Sequence, residues 1–183
     1  MTTLMERIGN ERRRLRTARQ NMLAAIEQKS HGDETFVPFY IATADYIDVT
    51  MQRLHLQDIK MGDMIREKVE DMNADVEKAL AELDERLDGA REHLKPFLAA
   101  RDALKEKGQA ALEQFEKEGK DYSDFIVANM GHHGATSDLS AELFSAEDWE
   151  YMAGITDEAM EREAALYDHI QETKPECVKS TDS

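Results

Sequence analysis

A nearly unbroken helical repeat in the middle of the chain constrains the fold more than any other feature. Across residues 76–115 apolar side chains recur at intervals of three or four, the spacing that lines one face of an α-helix. Globular helices usually run for about 8 to 20 residues, so Pro96 and Gly108 are expected to kink or break this one. A chain built around such a segment is predicted to be all-α.

The same periodicity predicts further helices on both sides of this segment, whereas no strand pattern is apparent. Ser123, followed by Asp124, Ser145 with a capping-box pattern, and Thr156 are predicted to start three of the helices. In chain order, the first two predicted helices are 3–29 and 34–72, and Gly62 is expected to loosen the second. The third has its apolar repeat over 76–115 and is expected to end at 119–121. A short helix over 123–130, a brief one after Ser145 and a last one after Thr156 follow.

The charge balance restricts the partners that this chain is expected to have. The formal net charge is −16, from 39 acidic and 23 basic side chains. Nucleic acid and anionic membranes require clustered Lys and Arg, so neither is expected as a partner. The one basic run, residues 12–16, is spread around a helix and is interpreted as a solvated or salt-bridged face. The charge is compatible with a basic partner protein.

The length of 183 residues predicts one domain, residues 1–173, followed by a disordered tail, residues 174–183. Cys177 is the only cysteine, which leaves no internal disulfide and no thiolate zinc site. The first residues lack an apolar core of signal-peptide length, so no signal peptide is expected, and no apolar run is long enough to span a membrane. The protein is therefore expected to be cytoplasmic.

One stripe of the second predicted helix carries three ionisable groups. Asp48, His55 and Asp58 step along it at helical spacing, with Gly62 leaving room for a partner to approach. This stripe of ionisable groups borders the apolar face of the same helix. A buried charge without a partner is costly, so these groups are expected to be bonded to one another or to coordinate a ligand.

Further histidines come from two other predicted helices. His93 precedes Pro96, and the pair His132 and His133 lies where a short apolar helix gives way to a turn that contains Asp138. Helical bundles place cofactor sites between facing helices. A mixed set of imidazoles and carboxylates suits iron, manganese or zinc. The sequence therefore indicates a candidate metal site between helices.

The intervals between these residues resemble those of the hemerythrin-like, or HHE cation-binding, family of helical bundles. In that family the last helix carries a histidine and, five residues later, an aspartate, as His133 and Asp138 do here. His55 is followed by Asp58, although the family places its acid four residues on rather than three. His93 precedes an aromatic and aliphatic pair, as the family's second histidine of the third helix does.

The resemblance implies an up-and-down four-helix bundle with long, kinked helices and short C-terminal helices. It implies mononuclear or dinuclear iron and the binding, storage or sensing of oxygen, nitric oxide or a redox signal. Whether Asp48 and His132 join the ligand set is left open. The ligands that the resemblance implies are His55, Asp58, His93, His133 and Asp138.

The sequence also departs from the family pattern. The first helix has no histidine, and Gly89 stands where the first histidine of the third helix belongs. A second interpretation is therefore a metal-free acidic helical bundle that docks on a partner protein or forms a homodimer through an apolar helix face. No nucleophile elbow, P-loop or dinucleotide fingerprint occurs, so a binding protein is expected rather than an enzyme.

Overall fold

The computed structural model describes residues 4–129 and 134–178, and all regular secondary structure in these ranges is helical. The prediction of an all-α chain is thus confirmed. The helices are α1 (Leu4–Gln28), α2 (Phe36–Lys68), α3 (Ala74–Lys107), a 3₁₀ turn (Gly108–Ala111), α4 (Leu112–Ala128), α5 (Gly134–Leu143), α6 (Ala146–Ala153) and α7 (Asp157–Thr173).

The long central repeat divides at Gly108. This residue has φ +57°, a left-handed conformation that glycine adopts without strain, and α3 ends beside it. The helix runs on through Pro96, and α2 runs on through Gly62. The expected helix end at residues 119–121 is wrong, because α4 continues to Ala128.

Close packing explains why a glycine is found at 119 inside a helix. A Cβ atom at Gly119 would lie 3.0 Å from Cδ1 of Ile26 and 3.6 Å from Cε of Met22, both on α1. Gly62 has the same role between α2 and α3, where its Cβ would lie 3.0 Å from Cδ2 of Leu83. These glycines therefore allow helices to approach each other and do not end them.

The helix starts predicted at Ser145 and Thr156 are confirmed by their caps, whereas the start predicted at Ser123 is wrong because α4 runs through that residue. The Asn73 side chain accepts hydrogen bonds from Asp75 N and Val76 N at the start of α3. Ser145 and Asp148 form a reciprocal capping box at α6, and Thr156 Oγ1 accepts from the backbone of α7. Local sequence thus fixes where these helices begin.

Helix α2 lies at the centre of the packing and contacts α1, α3, α5, α6 and α7, while α4 packs against α1 and α3. One buried cluster joins α1 to the first half of α2, the second half of α3 and α4, with Phe39, Phe97 and Phe115 among its fully buried rings. A second cluster joins the other halves of α2 and α3 to α5 and α6.

After α7 the chain turns back onto the first cluster. Val178 is 2% exposed and packs there, and its N–H donates to the carbonyl oxygen of Pro175. Residues 179–183 are outside the described ranges, so disorder of the whole tail stays a prediction. Within residues 4–129 and 134–178, no helix is both long and apolar enough to cross a membrane.

Candidate functional site

Two of the predicted ligands, His55 and Asp58, lie on α2. His55 is 8% exposed and lines a cleft with Arg91 and Leu94 of α3. Its Nε2 atom is buried and has no hydrogen-bond partner in the part of the chain that the structure describes. Burial lowers the pKa of His55, and the charges of Arg91 and Arg86 lower it further. His55 is therefore neutral at neutral pH.

Asp58 faces guanidinium groups. Its Oδ2 atom lies 3.2 Å from Nη2 of Arg86 on α3. Burial raises the pKa of Asp58, while the charges of Arg86 and Arg12 act in the opposite direction. Because the charges acting on His55 and Asp58 are cationic, these two residues by themselves are poorly suited to a metal ion.

His93, the predicted ligand from α3, packs against α4. Its ring stacks on Phe125 with a centroid distance of 4.1 Å, and its Nδ1 atom lies 2.9 Å from the carbonyl oxygen of Gly89. It lines a cleft that also contains Glu118 and Asp121 of α4. His55 therefore lines a cleft between α2 and α3, whereas His93 lines a different cleft between α3 and α4.

Phe125 also occupies the space beside Gly89. A Cβ atom at residue 89 would lie 2.6 Å from Cζ of Phe125, so a side chain there requires this ring to move. The hemerythrin-like pattern has a histidine at that position. This chain instead places an aromatic ring from α4 against α3.

The remaining predicted ligands do not complete a set. Asp138 is exposed on α5, whereas His133 and His132 lie outside the described residues. The Oδ2 atom of Asp48 is 2.7 Å from Nη1 of Arg101. Within the described ranges, no three His, Cys, Asp or Glu side chains are grouped to hold a metal ion. The described residues do not fit a metal centre, and a set with His133 stays a prediction.

A third cleft, bounded by α1, α2 and α4, was not predicted from the sequence. We call it the α1/α2/α4 cleft, and its volume is about 350 Å³. Most of its wall is aliphatic, and the hydroxyl-bearing ring of Tyr122 also lines it. The aliphatic lining residues are Leu15, Ile47, Met51, Leu54 and Ile126.

Three arginines of α1 also line this cleft. Arg12, Arg16 and Arg19 are spaced by four and three residues, which places them on one face of the helix. For none of them does a carboxylate oxygen of the described residues lie within the 4.0 Å of an ion pair. Arg12 and Arg16 are exposed, in agreement with the solvated face predicted for the basic run, whereas Arg19 lies beyond that run and is buried. The helical spacing of these arginines beside Leu15 was the signal for the cleft.

Arg19 is the most buried of the three, at 7% exposure. Burial lowers its pKa, Tyr122 raises it, and the like charge of Arg16 lowers it. A guanidinium nevertheless keeps its proton in proteins. Arg53, in contrast, is held by a carboxylate, with its Nε atom 2.6 Å from Oε1 of Glu163. Arg19 is thus a buried cation in an apolar wall, without a counter-charge among the described residues.

Comparisons of this chain with protein-family models, with curated proteins and with solved structures find no match. The function of the protein is therefore inferred from the lining of its clefts. The α1/α2/α4 cleft combines aliphatic walls with cationic groups, and such a combination binds small molecules by non-covalent contacts.

Proposed function

We propose that this protein is a regulatory helical bundle that binds an aliphatic small molecule in the α1/α2/α4 cleft. The observation that carries this proposal is a cleft of about 350 Å³ whose wall is mainly aliphatic. Small-molecule sites have volumes of about 300 to 1,000 Å³ and are mostly apolar with a few polar groups. In this proposal α1 to α4 form an up-and-down four-helix bundle, and the ligand lies between three of its helices.

The contacts of α1 suggest how binding would be transmitted. Its middle turns line the cleft, and it also contacts α6 and α7. The Nη2 atom of Arg7 lies 3.1 Å from Sδ of Met160 on α7, so displacement of α1 reaches that helix. A ligand shifts an equilibrium only when it binds two packings with different affinity. The proposed output is therefore a ligand-dependent surface for a partner protein.

Methyl NMR of the full chain can test binding with three probes that share one alkyl chain: decanol, decylamine and decanoate. At least one is expected to shift the Met51 and Ile47 methyl resonances saturably, because both side chains line the cleft. Saturable shifts from none of the probes would overturn the proposal.

A matched pair of variants locates the binding site. Ile126→Trp puts a larger side chain into the cleft wall and should weaken binding of the best probe by at least about tenfold. Val127→Trp changes the next residue of α4, which is 53% exposed and does not line the cleft, and should bind as the wild type does. Equal loss in both variants would place the probe elsewhere.

The second candidate function is iron binding by a hemerythrin-like centre that includes His133. One observation favours it: the buried Nε2 atom of His55 has no hydrogen-bond partner in the described ranges, and its lone pair could coordinate a metal ion instead. Elemental analysis of protein from cells grown in iron-rich medium decides it. Stoichiometric iron that His55→Gln abolishes and exposed His169→Gln retains would support this candidate, and iron near zero would remove it.

A further inference from the structure

Arg19 is the buried one of three arginines in the α1/α2/α4 cleft that form no ion pair with the described residues. It is 7% exposed, and no carboxylate of residues 4–129 or 134–178 forms an ion pair with it. Taking a charge out of water is expensive unless an opposite charge or hydrogen bonds replace the lost solvation. This residue is therefore suited to an anion brought by a ligand.

The neighbours of Arg19 add to this preference. Arg16 and Arg12 line the same cleft, so its α1 wall is cationic although the whole chain carries a formal charge of −16. A positive wall with an otherwise apolar lining attracts an anion and orients it. The fixed donors of a guanidinium match the two oxygens of a carboxylate.

Asp58 adds one negative charge to the lining of the cleft. It lines the cleft as well, and it is paired with Arg86 at 3.2 Å. A dianionic head group would be repelled by this carboxylate more strongly than a monoanion. The aliphatic wall, with Leu15, Met51 and Ile126, requires an equally apolar body.

We infer that the ligand is a fatty-acid-like molecule, with its carboxylate on the Arg19 guanidinium and its alkyl chain along the aliphatic wall of the α1/α2/α4 cleft. This inference rests on the proposed function and specifies the ligand of that site. The cleft volume of about 350 Å³ favours a medium-length chain.

Titration calorimetry of the full chain with decanoate and decanol tests the head group, since the two probes differ in charge and share a chain. Decanoate should bind about tenfold to about a hundredfold more tightly than decanol, because hydrogen bonds to a charged group contribute this much to binding. Decyl phosphate should bind no more tightly than decanoate. Tighter binding of the phosphate would overturn the carboxylate assignment.

Arg19→Met tests the guanidinium, because it removes the charge and keeps a long unbranched side chain. The preference for decanoate over decanol should fall to about threefold or less. Arg13→Met is the matched control on the same helix, since Arg13 is bonded to Asn10 and does not line the cleft. A preference that persists in Arg19→Met would overturn the assignment.

A wild-type measurement covers the case in which Arg19→Met does not fold. Decanoate, and not decanol, should shift the Nε–H resonance of Arg19, and an unchanged resonance at saturation would overturn the inference. Equal affinities of decanoate and decanol would also overturn it while leaving the proposed function intact. Failure of every probe would instead overturn the proposed function, and this inference with it.

Discussion

At the scale of single residues, His55 is a buried imidazole that the fold keeps neutral. Its Nε2 atom lacks a hydrogen-bond partner in the described ranges, and Arg91 and Arg86 act on it electrostatically. Sequence spacing placed His55 correctly at the edge of an apolar stripe. It could not predict the arginines of α3, because they reach His55 through the packing of two helices.

The depressed pKa of His55 predicts a pH dependence of stability. Its pKa lies below the reference value of 6.5, so as pH falls through 6.5 the unfolded chain takes up a proton that the folded chain does not. The contribution of His55 to the free energy of unfolding is therefore complete above that pH and is progressively lost below it. The loss is at most about 1.4 kcal/mol per pH unit, until the folded-state pKa is passed.

Urea unfolding of the wild type and of His55→Gln between about pH 8 and about pH 5 checks this. In the variant, the free energy of unfolding should no longer show the part of its decrease with falling pH that begins near pH 6.5. His169→Gln changes an exposed histidine and keeps His55, so the part of the pH dependence that belongs to His55 should remain. Identical slopes in His55→Gln and the wild type would contradict the prediction.

At the scale of helices, α3 contains a proline that its geometry tolerates. Pro96 is exposed, and the helix continues for more than two turns beyond it. A proline inside a helix removes one backbone hydrogen bond. Water can satisfy the freed carbonyl because this face is exposed. The sequence rules for helix ends therefore identified Gly108 correctly, whereas Pro96 and Gly119 did not end their helices.

Pro96→Ala is expected to stabilise the protein by about 1 to 3 kcal/mol. Alanine restores the missing donor and is favoured over proline in a helix interior by about 3 kcal/mol, while the unfolded chain regains about 0.4 to 1 kcal/mol of entropy. Chemical denaturation measures the change. Pro38→Ala is the control, because Pro38 lies in the first turn of α2 where no intrahelical bond is lost. An equal gain in both variants would contradict this explanation.

At the scale of the whole molecule, Arg53 joins three helices. Its guanidinium on α2 makes two bonds to Glu163 of α7, at 2.6 and 2.9 Å, and one to Glu11 of α1, at 3.1 Å. Glu163 is 7% exposed, so both partners depend on the pairing. This cluster therefore holds both α7 and α1 against α2.

Arg53→Met should destabilise the protein by about 3 to 5 kcal/mol, because Glu163 would keep a buried charge without its partner. Arg66→Met removes the exposed pair with Asp84 and should cost at most about 1 kcal/mol. Urea unfolding at neutral pH measures both. A loss in Arg53→Met as small as that of Arg66→Met would show that the cluster contributes little.

The sequence by itself determined the helical class of this chain and the helix starts at Ser145 and Thr156, since periodicity and capping depend on neighbours along the chain. Only the tertiary structure decided which side chains meet. It placed His55 and His93 in different clefts and left Arg19 in an apolar wall. Spacing along a helix defines a face, but the partner of that face is set by packing between segments far apart in sequence.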